Sequence, residues 1–127
     1  VIPHYVFDTG ALIALERGKP RAARFLQLVR IGRARIIVPL PVIAEWWRGR
    51  TDVRDEILAS TEVVASLDAV KAAGVALGRL KGIDAKLTID AIVIATAALA
   101  GAIVVTGDAR DFAALALHFS RVPVLAV

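Results

Sequence analysis

Between Ala91 and Gly107 the chain carries no charged residue, and Gly101 divides this stretch into an alanine- and isoleucine-rich half and the β-branched run Ile103-Val104-Val105. A segment of this length falls just short of a membrane-spanning helix, and the glycine interrupts it. A buried helix that turns at Gly101 into a buried strand accounts for both halves. Ile89 to about Ala100 reads as helix, with Thr88 expected as its N-cap and Gly101 as its stop. Twelve helical residues cover about 18 Å. A short glycine turn joins them to a strand of similar length, so helix and strand must run antiparallel. The start of the helix, which carries Asp90, therefore returns to the end where the strand finishes, just before Asp108.

The rest of the chain alternates in the same way. Tyr5-Val6-Phe7 reads as a short buried strand that runs into Asp8. A helix follows with Ala11, Leu12, Ala14 and Leu15 at helical spacing, and Thr9 is its expected N-cap. Arg21 to Ile31 reads as a helix with Ala22, Phe25, Leu26 and Val29 on one face, and Arg35 to Pro39 as the second strand. Pro41 suits the first turn of a helix carrying Val42, Ile43, Glu45, Trp46 and Trp47. Adjacent positions on a helix point about 100° apart. Core packing of both tryptophans is the expectation, with one left exposed near Glu45, to stack on a base or anchor a partner, as the alternative. A short helix through Ile57 and Leu58 follows, then a strand at Glu62 to Ala65. Asp68 is expected to cap a helix to about Leu80, Lys81 to Leu87 to be a polar connection, and Val122 to Val127 to be the last strand. Strands alternating with helices predict a mainly parallel sheet of about five strands, covered on both faces. At 127 residues this is a single domain spanning 1–127, long enough to bury a sizeable core.

Composition narrows the chemistry. There is no cysteine, which excludes disulfides, thiolate catalysis and cysteine zinc sites. His4 and His118 lack the paired spacing of a metal site and read as structural. The chain opens Val-Ile-Pro-His without a basic-then-apolar leader, so a cytoplasmic protein with no membrane segment is expected. The net charge is +4 and the isoelectric point about 10.1. Arg17, Lys19, Arg21, Arg24, Arg30, Arg33 and Arg35 concentrate in one segment. Such a run suits a polyanion or an acidic partner, and equally a solvated helix face.

Topology then brings acids together. Asp8 ends the first strand, and Glu45 lies one to two turns into the helix after the second. Asp108 follows the fourth strand, and Asp90 returns to the same end. Taken singly, Asp8 reads as a turn or cap residue, Asp90 as a complement to a helix dipole, Asp108 as a turn cap and Glu45 as a surface residue. Taken together, they need a counter-charge, because carboxylates about 5 Å apart repel by roughly 3 kcal/mol at an effective dielectric near 20. Oxygen-only ligands suit Mg²⁺ or Mn²⁺, and metals so held activate water for phosphodiester hydrolysis. On this reading Asp8, Asp90 and Asp108 are the main ligands, and Glu45 is a ligand or orients water. The basic segment, with Arg17, Arg21 and Arg24, suits the polyanionic backbone of such a substrate.

The stretches Phe7-Asp8-Thr9-Gly10-Ala11-Leu12-Ile13-Ala14, Pro41-Val42-Ile43-Ala44-Glu45, Asp90-Ala91 and Thr106-Gly107-Asp108-Ala109-Arg110-Asp111-Phe112, in this order, resemble a PIN domain of the VapC type, the toxins of bacterial toxin–antitoxin pairs. The resemblance spans essentially the whole chain. It implies a PIN-like α/β/α sandwich and a metal-dependent endoribonuclease using Mg²⁺ or Mn²⁺. It also implies a homodimer neutralised by a small VapB-type antitoxin, whose C-terminal segment wraps the toxin and can put a basic residue among the acids. By the same resemblance Asp8, Glu45, Asp90 and Asp108 form the acidic site. Thr106 positions water or an acid, and Asp111 is a peripheral acid; Thr9, read from its position as a cap rather than a site residue, is kept beside them as a supporting residue. Thr88 departs from the proline that many relatives carry before the third acid. Two rivals remain: an RNA-binding module of the same fold that does not cut, and a phosphatase with Asp8 as nucleophile. Gly10 stands where related phosphatases place a second aspartate, which weakens the latter.

Overall fold

The computed structural model describes residues 1–80 and 86–127. In chain order the elements are β1 (His4–Phe7), α1 (Thr9–Glu16), α2 (Pro20–Arg30), β2 (Arg35–Pro39), α3 (Leu40–Trp46), α4 (Asp52–Ala59), β3 (Glu62–Val64), α5 (Leu67–Gly78), α6 (Lys86–Ala100) and β4 (Ile103–Thr106). Two 3₁₀ turns follow, at Ala109–Phe112 and Leu115–Leu117, and then β5 (Val124–Ala126). The five strands lie in the order β3-β2-β1-β4-β5, and every pairing is parallel. The sheet expected to be mainly parallel is parallel throughout.

The chain steps outward from β1 to β2 and β3, then crosses back to β4 on the other side of β1. Right-handed crossovers in opposite directions put their helices on opposite faces. The packing follows: α1 touches α2, α3 and α4, while α5 lies along α6. The result is the expected α/β/α sandwich. Central strands covered on both faces need continuous apolar runs, and Val6, Phe7, Val38, Val104 and Val105 are fully buried. Helix α6 crosses β1, β2 and β4 with Ala91, Val93, Ile94, Ala95 and Ala97 inaccessible, and α5 meets it through Ala69, Ala73 and Ala76. Small side chains let these backbones come close. Trp46 is buried and meets Trp47 edge to face at 5.9 Å, and Trp47 packs partly buried on the same core. Both tryptophans are thus core residues, in unequal degree.

Three expected caps are corrected. Asp8, in extended backbone, accepts from the Ala11 amide and caps α1, so Thr9 is the first helical residue. Ser66, not Asp68, caps α5. Helix α6 already includes Lys86 and Leu87, so Thr88 lies within it. In each case a second residue able to cap, or a helix longer than its apolar run, stood beside the expected one. The polar connection expected over Lys81 to Leu87 otherwise falls on residues 81–85, outside the described residues. Among the described residues no helix is long and apolar enough to cross a membrane.

Candidate functional site

Neighbouring strands β1 and β4 lead off in opposite directions, and in such sheets the crevice beyond their C-terminal ends is where ligands bind. Asp8 stands at that point, 8% exposed. Its amide donates to the Val105 carbonyl at 3.1 Å, which continues the β1–β4 ladder by one residue. Oδ1 accepts from the Ala11 amide at 2.8 Å, and Oδ2 accepts from the hydroxyl of Thr106, which is fully buried. The same hydroxyl accepts from the Asp108 amide at 3.1 Å. One threonine therefore ties the first acid to the backbone of the last.

This junction is tight. A Cβ on Gly10 would lie 3.0 Å from the Gly107 Cα, and one on Gly107 would lie 3.1 Å from the Gly10 Cα. The start of α1 and the turn after β4 pass backbone to backbone, with no room for a side chain on either.

The other acids reach the crevice from three directions. Glu45 is exposed on α3, and its Oε1 accepts from the Thr9 hydroxyl at 2.7 Å. Asp108 caps the 3₁₀ turn through the Arg110 amide at 3.0 Å, and the Arg110 guanidinium grips its carboxylate at 3.1 and 3.0 Å. Asp111 is exposed on that turn. Asp90 is half-buried on α6 and, among the described residues, has neither a hydrogen bond nor an ion pair on its carboxylate. All five acids line one open cleft of about 540 Å³, with Arg17 and Lys19 on its wall.

Crowding shows in the proton affinities. Burial pushes Asp90 up to about 7, and the charges of Asp8, Asp111 and Glu45 push in the same direction. Burial also raises Asp8, against hydrogen bonds from Thr106 and from the Ala11 and Gly107 amides; the Asp111 charge adds to the rise. Asp108 is held below its usual range by hydrogen bonds from Arg110. The arrangement thus offers a set of hard oxygen donors whose charges are compensated only in part, which is a donor chemistry that fits a divalent cation. Among the described residues no three such side chains stand close enough to share one ion. Asp8 is held by Thr106 and Ala11, Glu45 by Thr9, and Asp108 by Arg110.

The structure therefore brings together Asp8, Glu45, Asp90, Asp108 and Asp111, with Thr106 behind Asp8 and Thr9 against Glu45. Of the basic residues singled out in the sequence, Arg17 lines the cleft. Arg21 and Arg24 are exposed on α2 and are not among the residues that line it. Sequence reasoning passed over Lys19 within its basic run. It also missed Arg110 as the partner of Asp108, and the contact of Gly10 with Gly107. A glycine within two residues of each of the two strand-end acids was the available signal for that contact.

The family profile of the PIN domain matches residues 5–117, and the chain belongs to this family. No curated protein matches it by sequence. Among solved structures it is similar to VapBC2 from Rickettsia felis bound to a DNA fragment from the promoter, at 16% identity and a TM-score of 0.72 over 98% of each chain. It is also similar to a toxin–antitoxin complex from Klebsiella pneumoniae, at 22% identity and a TM-score of 0.62 over 86% of this chain and 90% of that one. VapBC-1 from nontypeable Haemophilus influenzae shares 16% identity, with a TM-score of 0.63 over 97% of each chain. At these identities the likeness is one of fold.

Proposed function

We propose that this chain is a VapC-type toxin, an endoribonuclease that hydrolyses RNA phosphodiester bonds with Mg²⁺ or Mn²⁺ and is held in check by a VapB-type antitoxin. The observation that carries this reading is the half-buried Asp90, which has no partner among the described residues and is pushed up to about 7 in a cleft it shares with four other acids. A fold that only needed stability would pair such a carboxylate or replace it. Family membership supports nuclease chemistry, and the likeness to VapBC chains supports the narrower class.

Asp8, Asp90 and Asp108 would hold the cation, with Glu45 as a further ligand or as the group that orients water. When bound, a divalent cation supplies an activated water and charge stabilisation at the phosphoryl oxygens. The chain's own residues prepare the site. Thr106 and the Ala11 amide fix the Asp8 carboxylate. Thr9 holds Glu45 toward the cleft, and Arg110 keeps Asp108 ionised. The cytoplasm and a homodimer belong to the same reading. A small acidic-cleft partner that brings its own basic residue would lower the crowding that the acids create, which is a physical basis for neutralisation.

The test is cleavage of a total RNA pool by purified chain with Mg²⁺ or Mn²⁺, with EDTA, and by Asp90→Asn prepared identically. Cleavage only by wild type with metal supports the reading. Equal behaviour of wild type and variant rejects it and favours an RNA-binding module that does not cut.

A further inference from the structure

The cleft has an acidic floor, and an acidic floor repels the backbone of the RNA it is proposed to cut. Among the described residues, Arg17 and Lys19 are the basic ones that line it. They come from the connection between α1 and α2, where Arg17 is the C-cap of the first helix and Lys19 the N-cap of the second. Gly18 between them has a φ of 68°, a left-handed conformation that glycine adopts without penalty and that reverses the chain within one residue. Three backbone bonds pin this reversal: Arg17 to the Ile13 carbonyl at 2.9 Å, Gly18 to Leu15 at 3.0 Å and Lys19 to Ala14 at 3.0 Å. The two cations are therefore mounted on a fixed turn.

Neither is consumed by the fold. Arg30, Arg50, Arg54 and Arg110 are each engaged with an acid, whereas among the described residues Arg17 and Lys19 make no ion pair. Both are exposed. Helix α1 separates them from the acids at its start by about 12 Å along its axis, with Ile13 and Ala14 on the cleft wall between. That span is too long for the cations to neutralise the acid cluster at contact distance. It is long enough to separate one backbone phosphate from another.

We propose that Arg17 and Lys19 form a subsite for an RNA backbone phosphate that flanks the reacting one. The guanidinium supplies a planar two-pronged donor and the ammonium a point charge. The strand then runs from the acids over Ile13 and Ala14 to this rim, and Arg21 and Arg24, which do not line the cleft, have no part in it. This proposal rests on the reading of the chain as an RNA-cutting enzyme, and it assigns the direction in which the substrate leaves the acids.

The experiment measures binding without turnover, by fluorescence anisotropy of a labelled single-stranded oligoribonucleotide on the Asp90→Asn protein in Mg²⁺ across a salt series. Each backbone phosphate contact on a single strand contributes about 0.7 to the slope of log affinity against log salt. Adding Arg17→Ala with Lys19→Ala should reduce the slope by about 0.7, adding Arg17→Lys with Lys19→Arg should restore it, and adding Arg21→Ala with Arg24→Ala should leave it unchanged. An unchanged slope in the Arg17/Lys19 double variant, or an equal loss in the Arg21/Arg24 variant, overturns the subsite. RNA cleavage by wild type, run in parallel, separates the two layers. Cleavage with an unchanged slope rejects the subsite alone, and a lost slope without cleavage keeps the subsite and rejects the nuclease.

Discussion

The two ends of helix α1 treat negative charge in opposite ways. At its C-terminal end Glu16 is gripped by Arg54 of α4 through hydrogen bonds of 2.7 and 3.2 Å, and Arg54 also donates to the Gly49 carbonyl at 2.9 Å. Arg54 holds the Glu16 carboxyl below its usual range, with a smaller contribution from the Trp46 indole N–H, which itself lacks a hydrogen bond of normal geometry. Here charge is matched and serves to fasten α4 to α1. At the N-terminal end, one helix length away, Asp8 and its neighbours crowd into one cleft, and among the described residues only Asp108 has a cationic partner. The same helix thus carries a compensated, structural end and an uncompensated end. The difference teaches where to look for function: where a fold that can pair its charges has left them unpaired.

Breaking the backbone junction at the uncompensated end should have the largest effect. Gly10→Ala or Gly107→Ala places a Cβ about 3 Å from backbone that cannot swing aside. Each should lower stability by about 1–3 kcal/mol, as overpacking does, measured by urea denaturation, and should weaken Mn²⁺ binding as Asp8 and Asp108 move apart. Unchanged stability in both variants would mean that the two segments are not in contact.

At the compensated end, Arg54→Ala should lower the melting temperature by several degrees, because it strands a half-buried carboxylate and frees α4. Arg54→Lys should recover only part of the loss, since a point charge cannot make the two-pronged grip. Mn²⁺ affinity should change little in either. A large loss of Mn²⁺ affinity there would show that the two ends are not independent.

The pH dependence sharpens the contrast. Asp90 moves from 3.8 to about 7 on folding, so its protonated form favours the folded state. That contribution is complete below about pH 4 and is lost as pH rises through 7. In EDTA, Asp90→Asn should therefore melt higher than wild type at pH 8 and close to it at pH 4. Parallel melting curves over this range would contradict the crowding. The smallest effect concerns Arg110, whose guanidinium is exposed. Arg110→Ala should release Asp108 and raise Mn²⁺ affinity a few-fold, as expected for an exposed ion pair. Weaker binding would instead make Arg110 a support for the cation site.

How far the site was legible in the sequence follows from what kind of signal each residue leaves. Asp8 directly follows an apolar run with aromatic residues and Asp108 follows a β-branched one after a single glycine, and parallel strands place their ends side by side, so their convergence could be read from order alone. Asp90 followed from the length of an uncharged helix and the glycine after it. The caps were less legible, because Asp8 and Thr9, like Ser66 and Asp68, are adjacent or nearby residues of equal capping ability. The contact of Gly10 with Gly107, the bond from Thr9 to Glu45 and the cleft-facing position of Lys19 depend on how distant segments pack, which no local pattern encodes. Thr9 shows the cost of that gap: assigned as a cap, it holds an acid from another helix.

The most direct test of the cation site is Mn²⁺ binding, followed by the electron paramagnetic resonance signal of the free ion, for wild type, Asp8→Asn and Asp90→Asn at pH 8. Circular dichroism would establish that all three are folded. The acidic cleft predicts binding by wild type and a loss of at least about tenfold in both variants, since each removes a charged ligand. Equal affinity in all three folded proteins would contradict it.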